Sequence, residues 1–192
     1  MGNPLNVLIV EDSESDAAMM SRLLRKAGYD VHDERVETAD EMRAALERQP
    51  WDVVIADYRL PQFDAPASLA LLQQTGLDIP FIVVSGTVGE DVAVAMMKAG
   101  AHDYLMKDRL MRLAPAVERE LREAETRRER KWAETNLAQE RLLLRTVIDN
   151  LPDAVYAKDL QGRKMLVNRA DLNNIGRPEA EVLGKTDAEL FP

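Results

Sequence analysis

Four short runs of branched apolar residues decide what this chain can become. They are Leu5-Asn6-Val7-Leu8-Ile9-Val10, Val53-Val54-Ile55-Ala56, Phe81-Ile82-Val83-Val84 and Tyr104-Leu105-Met106. Runs that are apolar almost throughout, rather than at alternate positions, belong to strands buried on both faces, as in a parallel sheet. The patterns predict strands at 5–10, 30–36, 52–56, 80–84 and 103–106, with helices at 14–27, 38–48, 65–75 and 89–99. The helical segments space their apolar residues three and four apart, as in Met20, Leu23, Leu24 and Ala27. Ser13 and Thr38 are suited to N-caps, and Gly28 and Gly100 to the position just past a helix end. Five βα repeats imply right-handed crossovers and an α/β fold: a (βα)5, doubly wound parallel sheet. The second strand, with Tyr29-Asp30-Val31-His32, is the most polar and belongs at an edge.

The residues at the ends of these runs point to chemistry. Glu11 and Asp12, Asp57, Ser85 and Lys107 stand at strand C-termini. In open α/β sheets that is where ligands bind. Three acids make a site for Mg²⁺, which takes a few carboxylates plus waters and phosphate oxygens. A carboxylate beside such an ion can act as a nucleophile toward phosphorus. Lys107 offers a compact cation for a phosphoryl oxygen, and Ser85 a hydroxyl.

From Leu110 the pattern stays helical for about forty residues. Leu110, Leu113, Val117, Leu121 and Ala124 form one stripe; Leu137, Leu144, Ile148 and Leu151 form another. The phase between them breaks near Arg127–Trp132. So long and polar a helix is seldom stable alone, and pairing with a copy of itself as a parallel coiled coil is expected. Beyond Asn150, residues 154–158 and 164–168 read as two strands around the turn Asp159-Leu160-Gln161-Gly162, with short helices at 169–174 and 178–184. This tail is too small for an independent core and reads as part of a domain.

The net charge of −9 argues against nucleic acid and anionic membranes as partners. Glutamates interleaved with Arg127-Arg128-Glu129-Arg130-Lys131 suggest a solvated helical face. No cysteine is present, which removes disulfides and thiolate metal sites. No apolar run approaches the ~20 residues of a membrane span, and no signal-peptide core precedes the first strand, so a cytoplasmic protein is expected. His32 and His102 lie far from the acids in sequence and read as ordinary surface or edge residues.

Val10-Glu11-Asp12, Asp57-x-x-Leu60-Pro61, Val84-Ser85-Gly86 and Asp103-Tyr104-Leu105-Met106-Lys107 together resemble the receiver domain of two-component response regulators, over about residues 4–122. That resemblance implies a flavodoxin-like fold. Asp57 would be the phospho-acceptor, taking its phosphoryl group from a sensor histidine kinase or phosphotransfer protein. Asp12 would bind Mg²⁺ directly, Glu11 through water, and Arg59 by its backbone carbonyl. Ser85 and Tyr104 would form a coupled switch. Three positions depart from the family pattern. Asp108 replaces the usual proline after the lysine, so a cis bond, at ~2.5–4 kcal/mol for a non-proline, is not expected. Ser85-Gly86-Thr87 replaces the commoner hydroxyl–small pair, and Ala65-Pro66 stands where glycine is usual.

The tail from Ile148 through Gly162, then Asn168-Arg169-Ala170 and Leu183-Gly184-Lys185-Thr186, resembles the start of a PAS sensor domain. The expected organisation is a receiver at 1–122, a long signalling helix at 110–150 and a partial PAS α+β segment at 151–192, with an output domain further on. Neither a nucleotide-binding glycine motif nor a phospho-acceptor histidine region is visible, so the chain is not itself expected to be a kinase. Two other readings compete. One is an aspartyl-phosphate phosphatase of the haloacid dehalogenase class, which wants an acid two residues after the nucleophile; Arg59 stands there. The other is a receiver-like adaptor that works without phosphorylation.

Overall fold

A computed structural model describes residues 2–86 and 89–191. Thr87, one of the departures from the family pattern, lies outside them. By internal packing the chain divides into two units, Met1–Glu129 and Arg130–Pro192.

In the first unit, β1 (Asn3–Val10), β2 (Tyr29–Val36), β3 (Val53–Asp57), β4 (Phe81–Ser85) and β5 (Asp103–Met106) form one sheet in the order β2-β1-β3-β4-β5. Every pairing is parallel. The order is the flavodoxin-like one, and β2 is an edge as its polarity predicts. Between the strands run α1 (Glu14–Lys26), α2 (Ala39–Arg48), α3 (Ala65–Thr75) and α4 (Glu90–Ala99). Strand β1 starts two residues earlier than expected and includes Pro4. There it pairs with β2 alone, since pairing with β3 begins at Val7, so the missing N–H breaks no central ladder.

The caps follow the sequence. Ser13 Oγ accepts from the Asp16 N–H, and Thr38 and Glu41 close a capping box. Asp64 caps α3, with Pro66 in the first turn, where a missing N–H leaves no bond unmade. This accounts for Ala65-Pro66. Gly100 ends α4 at φ 108°, a left-handed conformation that a side chain would strain.

Alternate residues of the strands feed two cores. Leu8, Val10, Val54, Ala56, Phe81 and Val83 pack with residues of α2 and α3 on one face. Leu5, Val7, Ile9, Ile55, Ile82 and Val84 pack with α1 and with Leu113 and Val117 on the other. Each of the fully buried Val, Leu, Ile and Phe side chains contributes about 1.5–3 kcal/mol.

After β5 the chain departs from expectation. Lys107–Arg112 forms 3-10 turns broken at Arg109 (φ −120°, ψ 27°), and α5 begins only at Leu113 and runs to Asp149. No peptide bond among the described residues is cis, including that between Lys107 and Asp108. The first apolar stripe is buried at Leu110, Leu113, Val117 and Ala124, whereas Leu137 and Leu144 of the second are exposed.

His102, expected as an ordinary surface or edge residue, directly precedes the edge strand β5 and is tied into the sheet. Its half-buried ring accepts the Phe81 N–H at Nδ1 (3.1 Å). Nearby, Arg127 reaches Asp78 at 3.0 Å. His32 is exposed on β2, as expected.

In the second unit, β6 (Tyr156–Lys158) and β7 (Lys164–Val167) form the antiparallel hairpin that the turn residues predict. Three short helices follow: α6 (Arg169–Ile175), α7 (Glu179–Val182) and α8 (Asp187–Leu190). The last is not among the expected elements; Thr186 and Glu189 cap it as a box. Val167, Val182 and Leu190 make a small core, and Asn168, fully buried, donates to the carbonyls of Ile148 and Asp153.

Candidate functional site

The sheet register brings the acids together. Val10 of β1 pairs with Ala56 of β3, so Glu11 and Asp57 each sit one residue further along on adjacent central strands. One carboxylate oxygen from each of Glu11, Asp12 and Asp57 can lie within 4.8 Å of the others. Glu11 and Asp57 are buried; Asp12 is exposed. A cleft of about 540 Å³ opens beside Asp12, lined by Tyr58, Arg59, Leu60, Pro61 and Asp64.

Lys107 leaves the end of β5 and joins these acids. Its ammonium donates to Glu11 Oε2 at 2.9 Å and Asp16 Oδ2 at 2.5 Å, and pairs with Asp57 Oδ2 at 2.9 Å. Burial by itself would pull the Lys107 ammonium down, but its bonds to Asp16, Asp57 and Glu11 outweigh this and hold it above the ordinary lysine range. Glu11 also accepts the Ser13 N–H at 3.1 Å. Burial nonetheless raises its carboxyl above the usual glutamate value, and the Asp57 charge adds to the rise.

Ser85 ends β4, is buried, and pairs in register with Met106, the residue before Lys107. A Cβ added at Gly86 would lie 3.8 Å from Lys107 Cδ, so Gly86 sits beside that side chain. Tyr104 pairs with Val83 and packs half-buried against the α2–α3 face. The Arg59 N–H points to Asp57 Oδ1 at 3.4 Å, a long contact that places residue 59 beside the acceptor.

Two residues escape the sequence reading. Asp16 is the third acid on Lys107. Its signal is its position three residues after the Ser13 cap, in the first turn of the helix that leaves the acidic loop. Arg35, near the end of β2, donates to the backbone carbonyls of Glu11 (3.0 Å) and Asp12 (3.4 Å) and pairs with Glu37. Only the register of the edge strand reveals it.

The cluster Glu11, Asp12 and Asp57 offers hard oxygen donors of the type Mg²⁺ takes, so the residues present fit that ion.

The sequence profile of the response regulator receiver domain matches residues 7–118. The transcriptional regulatory protein PrrA of Mycobacterium tuberculosis (strain ATCC 25618 / H37Rv) is 35% identical over 101 residues, covering 53% of this chain and 42% of that protein. ZraR of Escherichia coli (strain K12), also a transcriptional regulatory protein, is 32% identical over 106 residues, or 54% of this chain and 23% of that one. The chain therefore matches less than half the length of these curated relatives. Among solved structures, the signal receiver domain of a putative Luxo repressor protein from Vibrio parahaemolyticus is similar at a TM-score of 0.58 and 28% identity, over 65% of this chain and 95% of that one. The signal receiver domain of a signal transduction histidine kinase from Syntrophus aciditrophicus is similar at 0.52 and 29%, over 61% and 89%. The profile match extends over more than half of the chain and includes every residue of the acid–lysine cluster: the protein belongs to the response regulator receiver domain family of two-component systems.

Proposed function

We propose that Asp57 is the phospho-acceptor of this receiver. The observation that carries the reading is the convergence of Glu11, Asp12 and Asp57, with Lys107 Nζ 2.9 Å from the Asp57 carboxylate. A carboxylate oxygen of Asp57 would attack the phosphorus of a phosphohistidine on a sensor kinase or phosphotransfer protein. The new O–P bond forms as the P–N bond breaks, and the leaving imidazole takes a proton from water. Mg²⁺ held by Glu11, Asp12, Asp57 and the Arg59 carbonyl would neutralise charge on donor and acceptor. Lys107 would bind a phosphoryl oxygen, and Ser85 another. The added negative charge gives Ser85 a reason to move, with the Tyr104 ring turning inward behind it.

In this reading residues 1–122 are the receiver, 110–150 a signalling helix and 151–192 the first part of a PAS domain. The exposed stripe through Leu137 and Leu144 supports pairing of two copies along the helix as a coiled coil. Phosphorylation would bias that dimeric helix toward a PAS domain and an output domain beyond it. We assign the chain no kinase activity of its own and, given its charge of −9, no nucleic-acid contact. Among the described residues no helix is long and apolar enough to cross a membrane. A partner of kinase phosphohistidines belongs in the cytoplasm.

The test is intact-mass spectrometry after incubation with Mg²⁺ and acetyl phosphate. Wild type should gain one labile phosphoryl group and Asp57→Asn none. No gain in wild type, with Mg²⁺ binding established, would favour an adaptor that works without phosphorylation.

A further inference from the structure

Lys107 is saturated. An ammonium has three N–H donors, and the structure supplies three carboxylates: Glu11, Asp57 and Asp16. A phosphoryl oxygen at Asp57 can be bonded by Lys107 only if one of these lets go. Glu11 is fully buried, so releasing it would strand a carboxylate away from water. Asp57 loses its carboxylate charge on esterification and frees one donor, so each further phosphoryl oxygen that Lys107 bonds must displace Glu11 or Asp16. Asp16 has the most exposed side chain of the three, at 37% against 1% for Glu11 and 11% for Asp57, and water can receive it.

We infer that Asp16 is a positioning residue that occupies Lys107 in the resting receiver and yields its place to a phosphoryl oxygen. The inference rests on the proposed role of Asp57. It assigns the exchange to α1, because Asp16 lies in the first turn of that helix, four residues beyond Asp12. The Asp16–Lys107 contact stabilises the resting state and is absent when the lysine holds the phosphoryl group. It therefore slows phosphoryl uptake, since only interactions that differ between ground and transition states affect the rate. The Asp16 charge acts in the same direction by opposing an approaching anionic donor. Toward Mg²⁺ it acts oppositely: one more carboxylate beside the acids favours the cation.

The experiment compares wild type, Asp16→Asn and Asp16→Glu in the full chain. Acetyl phosphate uptake is measured at saturating Mg²⁺, and Mg²⁺ affinity by calorimetry without a phosphodonor. For Asp16→Asn the uptake rate should rise roughly two- to five-fold, the range of a partly exposed ion pair. Its Mg²⁺ dissociation constant should rise by a similar factor. Asp16→Glu should return both toward wild type. A merely structural defect lowers the rate while weakening Mg²⁺, so the opposed movements are diagnostic. If wild type is phosphorylated and Asp16→Asn is no faster, the inference is overturned. If wild type takes up no phosphoryl group, the proposed receiver chemistry fails separately. The Asp16 exchange, which rests on that chemistry, then falls with it.

Discussion

His102 Nδ1 accepts the backbone N–H of Phe81 at 3.1 Å, tying the turn before β5 to the first residue of β4. Burial pulls this imidazole below its ordinary value, and the Arg127 charge adds to the effect. A histidine whose folded pKa is depressed binds a proton more readily when unfolded. Its stabilising contribution is complete above the unfolded value of about 6.5 and is lost as pH falls below it toward the folded value. Urea midpoints measured between about pH 5 and 8 should fall on the acid side more steeply for wild type than for His102→Gln, which cannot titrate. Parallel curves would show that the ring does not couple to folding.

Leu113 opens α5 and has no exposed surface among the residues of the α1 face. Leu113→Ala should destabilise the receiver by about 2–5 kcal/mol, from lost burial and the cavity left behind. Chemical denaturation followed by circular dichroism gives the number directly.

Thr38 and Glu41 satisfy each other's backbone groups at the start of α2. Thr38→Ala should cost about 1 kcal/mol. Because the cap lies on the surface, phosphoryl uptake at Asp57 should be unaffected.

Mg²⁺ should stabilise the fold through its carboxylates. A concentration ten times the dissociation constant should add about 1.4 kcal/mol, read as a shift of the urea midpoint. In Asp57→Asn the shift should shrink markedly. An equal shift in both proteins would place the ion elsewhere.

The sheet is legible because strands buried on both faces must be apolar throughout, as Val53–Ala56 and Phe81–Val84 are. Glu11, Asp12, Asp57 and Lys107 are legible because strand ends in such a sheet share one rim. The start of α5 is not. The chain from Lys107 to Arg112 has helical spacing, but Leu110 must be buried as the chain leaves β5, and Arg109 takes a non-helical conformation on the way. Arg35 and Asp16 stay hidden for a related reason. Each acts across the fold on a partner 24 and 91 residues away, and spacing along a chain carries no trace of such a contact. His102 misleads because its partner is a main-chain N–H, which every residue but proline owns.

Among the described residues, no strand pairs with the outer side of β2, which is eight residues long. An open ladder of that length invites another chain to add itself as a further strand. Asp30, Asp33, Glu34 and Arg35 put charge along this rim, so a copy docking edge to edge would have to strip these charges of water. The same polarity that betrays the edge in the sequence guards the protein against polymerising through its own sheet.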